Sequence, residues 1–271
     1  MIVYLKELYK QLLDDDAFGL SAQCAYYFLF SLFPFLLFAM SLLGFLPISS
    51  TDVLELVKQV IPANTAFGVE EQIVHILDTK RGGALSFGLL FSLFTSSAAI
   101  NSIVLAVNKA YGLPDRKSFI HSRILAILLT IAMLVVIVSA LVLSVFGHFI
   151  GDWMHDKLHV PWDKIQVWNV VRWIINLSIA FVVFLGVYFI APNTCLTCKE
   201  VVPGAIVASC GWQLVSLGFS YYVDNWGNYS ATYGSLGGVI VLLTWFYICA
   251  FIIILGGEVN AISYIWKKNR A

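Results

Sequence analysis

Residues 233–261 read YGSLGGVIVLLTWFYICAFIIILGGEVNA, and this stretch decides the fold class. From Val239 to Leu255 no charged residue interrupts it. A helix needs about 20 apolar residues to cross about 30 Å of hydrocarbon, so the run is a membrane span. It ends on Gly256, Gly257 and then Glu258. A carboxylate in such a position is expensive, so Glu258 is the first candidate functional residue.

Working outward, the rest of the chain has the same character. Of 271 residues, 60% are hydrophobic and 12% charged. Soluble domains carry about 25% charged residues, so this composition belongs in a bilayer. Candidate spans lie at about 22–46, 85–107, 124–150, 168–191, 203–223 and 236–262. The expected fold is therefore an all-α polytopic membrane protein with six spans, forming one membrane domain over residues 1–271. The first apolar run is longer than the 7–15 residues of a signal h-region, so it is expected to stay in the membrane. No internal repeat or low-complexity tract is apparent.

Before the first span, residues 1–20 place Leu5, Leu8, Tyr9 and Leu12 on one helical stripe. That spacing predicts an amphipathic helix on the membrane surface. Asp14, Asp15 and Asp16 then read as a solvated loop or helix start. After span 1, Thr51–Val60 and Thr65–Asp78 predict a short amphipathic hairpin split at Pro62.

Orientation follows from the basic residues. With the N-terminus inside, Lys6, Lys10, Lys109, Arg116, Lys117, Arg123, Lys199, Lys267, Lys268 and Arg270 are cytoplasmic. Lys58, Lys80, Arg81, Lys157 and Lys164 are outside. Ten against five places both termini in the cytoplasm.

Three blocks resemble the YihY/BrkB family of bacterial inner-membrane proteins. The first is Ala25-Tyr26-Tyr27-Phe28-Leu29-Phe30-Ser31-Leu32-Phe33-Pro34. The second is Ala106-Val107-Asn108-Lys109-Ala110-Tyr111-Gly112, with Arg116 and Phe119. The third starts at Pro203-Gly204-Ala205 and passes through Trp212, Phe219, Tyr221 and Tyr222. It reaches Tyr233-Gly234-Ser235-Leu236-Gly237-Gly238 and ends at Gly256-Gly257-Glu258-Val259-Asn260-Ala261. The resemblance implies a six-helix protein of the bacterial cytoplasmic membrane, of transporter type. It also brings an old label, ribonuclease BN, which the residues do not support. Cys195 and Cys198 depart from the family pattern, and their lone CxxC is read as structurally neutral.

Beside the resemblance, the residues suggest where chemistry would sit. Tyr26, Asn101, Asn108, Glu258 and Asn260 fall at the cytoplasmic ends of spans, as a candidate ion- or substrate-binding cluster. The alternative is ordinary interhelical hydrogen bonding, worth about 0.6–2 kcal/mol per bond. Pro34 interrupts span 1 and is a candidate hinge. Ser97 and Gln213 lie near the midplane, where transporters place substrate sites. Arg172, Asp224, Tyr233 and Ser235 form a candidate outer polar group.

Enzyme motifs are missing from the sequence. It has no GxSxG, Walker A or GxGxxG. His155 and His159 are four apart, but without the flanking Glu of a metalloprotease helix. No metal and no cofactor is expected. Net charge is zero, so no basic surface recruits nucleic acid. The expected function is transport of an ion or small solute, coupled to protons or sodium through Glu258, and the protein is not expected to be an enzyme. Lipid translocation and a structural or assembly role are the alternatives. Expected partners are membrane lipids, the transported ion or solute, and further copies of the chain.

Overall fold

In the computed structural model, the described residues are 2–43, 82–114, 122–136, 138–139, 162–226 and 236–268. Among them are seven helices and no strand. They are α1 (Ile2–Asp14), α2 (Ala17–Leu43), α3 (Gly82–Ala110), α4 (Ser122–Val136), α5 (Trp162–Ile190), α6 (Cys198–Trp226) and α7 (Leu236–Lys268). With no water to bond the backbone in hydrocarbon, a spanning segment must satisfy its own amides, and a helix does so.

Among the described residues, five helices are long and apolar enough to cross a membrane: α2, α3, α5, α6 and α7. They correspond to five of the six expected spans. The expected span at 124–150 appears as the shorter apolar helix α4, and most of residues 137–150 lie outside the described residues. The expected hairpin within 47–84 lies almost wholly outside them as well. At the N-terminus the boundary differs from expectation. The surface helix stops at Asp14, and α2 starts at Ala17 rather than near 22. The break is local: Asp16 adopts φ 56°, a left-handed conformation that Asp tolerates and most residues do not.

The chain forms two compact units, Phe28–Ser96 and the combination of Met1–Tyr27 with Ser97–Ala271. In the smaller unit, Phe87 stacks on Phe91 at 5.4 Å and Phe30 meets Phe91 edge-on at 6.3 Å. Pro34 is buried there, inside an α2 that runs on to Leu43. In the larger unit, α6 packs along both α5 and α7, and α1 packs against α7.

Two helix ends in the larger unit are set by recognisable sequence. α3 closes with Gly112 at φ 64°, where Gly112 N–H donates to Lys109 C=O at 2.8 Å and Leu113 N–H to Asn108 C=O at 2.9 Å. This is a Schellman ending, which favours glycine because it has no Cβ to clash. At the start of α6 the Glu200 side chain reaches back as in a capping box: Thr197 N–H donates to Glu200 Oε2 at 2.9 Å, while Glu200 N–H donates to the Thr197 backbone C=O at 2.9 Å. Cys198 is the first helical residue after that cap. Cys195 and Cys198 are both exposed free thiols.

Candidate functional site: a bare carboxylate on the last helix

The stretch of α7 from Ile253 to Asn260 meets α5 and α6 through small residues and backbone. Gly204 of α6 and Gly256 of α7 face each other so closely that a Cβ on Gly204 would collide with the Gly256 carbonyl. Small residues allow this approach where apolar burial gives helices in lipid no driving force to associate. Tyr188 of α5, 1% exposed, donates its hydroxyl to Ile253 C=O of α7 at 2.5 Å.

Asn260 completes the crossing. Its Oδ1 accepts from Gly204 N–H at 2.6 Å, and its Nδ2 donates to Val201 C=O at 3.1 Å. Pro203 lies between those two residues and has no N–H, so the Lys199 carbonyl loses its helical donor and the turn is weakened. The Asn260 side chain splints that turn. Asn108 acts similarly at the end of α3. It donates to Val104 C=O at 2.9 Å and accepts Asn193 N–H from the α5–α6 connection at 2.8 Å.

Glu258 lies between Gly256 and Asn260 in sequence but has no such partners. It is 1% exposed, and neither carboxylate oxygen has a hydrogen-bond partner among the described residues. Next to it, a Cβ on Gly257 would lie 3.0 Å from Val107 of α3, so this part of α7 is closely packed. An ionised carboxylate buried bare costs several kcal/mol unless a proton, cation or donor compensates it.

Asp15, in the α1–α2 turn, is close enough for its charge to act on Glu258. Burial pushes the Asp15 carboxyl above the ordinary aspartate range; Lys109 opposes that shift and Asp14 adds to it. Gln11 Oε1 and the Tyr111 hydroxyl are also buried without hydrogen-bond partners among the described residues. Tyr111 packs edge-on against Tyr264 at 5.7 Å. Burial, with Glu200 and Tyr264 nearby, pushes its hydroxyl up.

The other expected site residues are distributed differently. Asn101 is half-buried and Ser97 fully buried. Tyr26 is 58% exposed beside Tyr27, outside the buried group. Gln213 Oε1 accepts from Asn176 of α5 at 3.3 Å, linking α5 to α6. Arg172 is half-buried on α5. The Asp224 side chain, Tyr233 and Ser235 lie outside the described residues. Sequence reasoning missed Tyr188 and Asp15. Tyr188 is the sole tyrosine of α5, and a lone hydroxyl near the end of an apolar span is the signal that marks it. Asp15 was hidden in a triplet that reads as a solvated turn.

The virulence factor BrkB family profile matches residues 8–270. A relative in Bacillus subtilis (strain 168), named "Putative ribonuclease-like protein YfkH", is 44% identical over 98% of this chain and 96% of its own length. A UPF0761 membrane protein of Aliivibrio salmonicida is 27% identical over 93% of this chain and 80% of its own. Another, from Vibrio parahaemolyticus, is 25% identical over 96% and 82% respectively. No solved structure matches the chain. With nearly its whole length matched, and with multiple spans, the chain belongs to the virulence factor BrkB (YihY/BrkB) family of membrane proteins.

Proposed function

We propose that the protein transports a small cation, a proton or an alkali ion, with Glu258 as the group that takes up and releases it. One observation carries this reading: a fully buried carboxylate with neither oxygen hydrogen-bonded among the described residues. A side chain kept only for packing would cost less as leucine, and one kept for hydrogen bonding would have partners, as Asn260 does. A bound proton or cation removes the cost of burying the charge, so occupancy and conformation become linked. Asn108 and Asn260 then act as splints that fix α3, α6 and α7 around the carboxylate, rather than as ligands. Both termini face the cytoplasm in this proposal, following the charge distribution, and the reaction involves no bond-making enzyme chemistry.

The test uses sealed proteoliposomes with an imposed pH gradient and pulses of Na⁺, K⁺ and Li⁺. Wild type is expected to dissipate the gradient on at least one pulse, and Glu258→Gln to fall to the level of empty vesicles. Equal flux in the two proteins overturns the assignment.

A second reading, lipid handling, draws on two surfaces. An open groove of about 400 Å³ on α5 is lined by Val170, Trp173, Ile174 and Leu177. On α1, Leu5, Tyr9 and Leu13 form an exposed apolar stripe. Translocation of a fluorescent lipid in the same vesicles, unaffected by Glu258→Gln, supports this second reading over the first.

A further inference from the structure

The segment from Tyr4 of α1 to Phe18 of α2 contacts α7 on both sides of Glu258. Upstream, Phe18 of α2 stacks on Phe251, with ring centroids 5.1 Å apart and planes within 17°. Downstream, the Tyr4 hydroxyl donates to Val259 C=O at 3.4 Å, the Tyr4 ring meets Trp266 edge-on at 5.4 Å, and Trp266 Nε1 donates to Glu7 Oε2 at 2.9 Å. From Phe251 to Trp266 is about 22 Å of helix at 1.5 Å per residue, and Glu258 lies about 10 Å along it. The residues that grip the two ends flank Asp15 in sequence, so the α1–α2 turn lies over the stretch that carries Glu258.

That turn is charged and partly open to water. Asp14 and Asp16 are exposed and Asp15 is half-buried, while the side chain beneath is a bare carboxylate 1% exposed. Lys109, exposed at the end of α3, is close enough to attract Asp15. The other flanks of this stretch of α7 are occupied by the Gly204–Gly256 crossing, Tyr188 and Val107. The α1–α2 turn is the side that brings charged, partly solvated groups to act on this stretch.

We infer that Asp15 is a specificity-determining residue of the Glu258 site: the α1–α2 turn covers the aqueous access to Glu258, and the Asp15 carboxylate admits cations past it and turns anions away. The inference rests on Glu258 being the cation-exchanging group and adds its route and charge filter. Lys109 is the tethered positive charge that an arriving cation displaces from Asp15. The ligand class is a monovalent cation or hydrated proton.

The test reads access chemically, without flux. In a Glu258→Cys variant in proteoliposomes, position 258 is modified by a cationic (trimethylammonium) or an anionic (sulfonate) methanethiosulfonate. Rates are read by peptide mass, with the exposed thiol of Cys198 as internal control. The cationic reagent is expected to react faster. Asp15→Asn is expected to cut the cation-to-anion rate ratio by roughly tenfold, the scale for a unit charge nearby at intermediate dielectric. Lys109→Ala is expected to raise the ratio. A ratio unchanged by Asp15→Asn overturns the inference, as does a position 258 inert to both reagents while Cys198 reacts.

Should Glu258→Cys fail to fold, the native carboxylate serves instead. A cationic water-soluble carbodiimide is expected to modify Glu258 more slowly in Asp15→Asn, whereas a neutral lipid-soluble one is expected to be unaffected. Equal slowing of both reagents, or of neither, overturns the inference. The two proposals fail separately. Absent flux with charge-selective labelling sinks only the transport reading, and flux with charge-blind labelling sinks only the role of Asp15.

Discussion

Asn260 and Glu258 are two residues apart on one helix, and both are almost fully buried. Asn260 faces the α6 crossing, where each end of its amide meets a backbone partner. Glu258 belongs to the stretch of α7 that Tyr4 and Phe18 contact on either side, and its two oxygens meet none among the described residues. Interhelical polar groups in membranes normally hold helices together by hydrogen bonds. Asn260 follows that pattern and Glu258 departs from it, and the proposed cation site rests on that departure. The comparison is sharpened by separating stability from activity: damage to the crossing should unfold the protein, and damage to Glu258 should silence it.

The largest loss of stability is expected from Gly204→Val. Its Cβ would meet the Gly256 carbonyl, a backbone atom that cannot swing aside. Overpacking of a rigid site typically costs about 1–3 kcal/mol, and two backbones in contact put this site at the upper end or beyond. The variant is expected to yield little monodisperse protein in detergent. Normal yield with an unchanged melting temperature would break the picture of a glycine-tight crossing. Asn260→Leu comes next. It strands Gly204 N–H and adds nothing to the Val201 carbonyl, for a loss of about 2 kcal/mol. The drop in Tm should exceed that of Gln213→Leu, which removes one long bond at 3.3 Å.

Glu200→Ala tests the N-terminal cap of α6, just before the Asn260 crossing. Losing the capping box at Thr197 should cost about 1 kcal/mol. The companion Lys267→Ala should cost less, because the Lys267–Glu200 pair at 3.5 Å has a lysine that is 71% exposed. Asp15 supplies a pH dependence. Its folded-state carboxyl titrates above the ordinary 3.8, so its contribution to stability is full below that value and is lost as pH rises through the raised one. Asp15→Asn should flatten the Tm profile across that acidic window, and an unaltered slope would show that burial of Asp15 carries no energetic weight.

Much of this architecture was legible in the sequence, for physical reasons. A span announces itself by length and hydropathy, because lipid sets the length and requires the helix. Glu258 announced itself because a charge in such a run is costly. The glycines beside it pointed to close packing, and the α6–α7 crossing has that packing. Partnership was not legible. Asn101, Asn108, Glu258 and Asn260 look alike as polar residues near span ends, but which of them binds backbone depends on helix rotation and depth. Residue spacing fixes rotation within one helix and says nothing of rotation between helices. Tyr26 shows the limit: it was expected to join the others, but it is exposed on α2, outside the buried group. Asp15 shows a second one. A charged turn is expected in water, and only the packing of α1 along α7 brings its charge to act on a buried carboxylate.

The smallest change in stability is expected at the residue with the largest effect on activity. Glu258→Gln keeps the size of the side chain and removes no hydrogen bond present among the described residues. It replaces an ionisable group with a neutral one in a packed site, so Tm should match or exceed wild type, within roughly 0.5 kcal/mol on the low side. Gradient dissipation should meanwhile vanish. A structural carboxylate predicts the reverse, a lower Tm with flux retained, because its partners would be left unpaired in an apolar setting. The outcome also bears on Asn260. If Glu258→Gln destabilises as much as Asn260→Leu, Glu258 has partners in the folded protein, and the contrast between the two residues disappears.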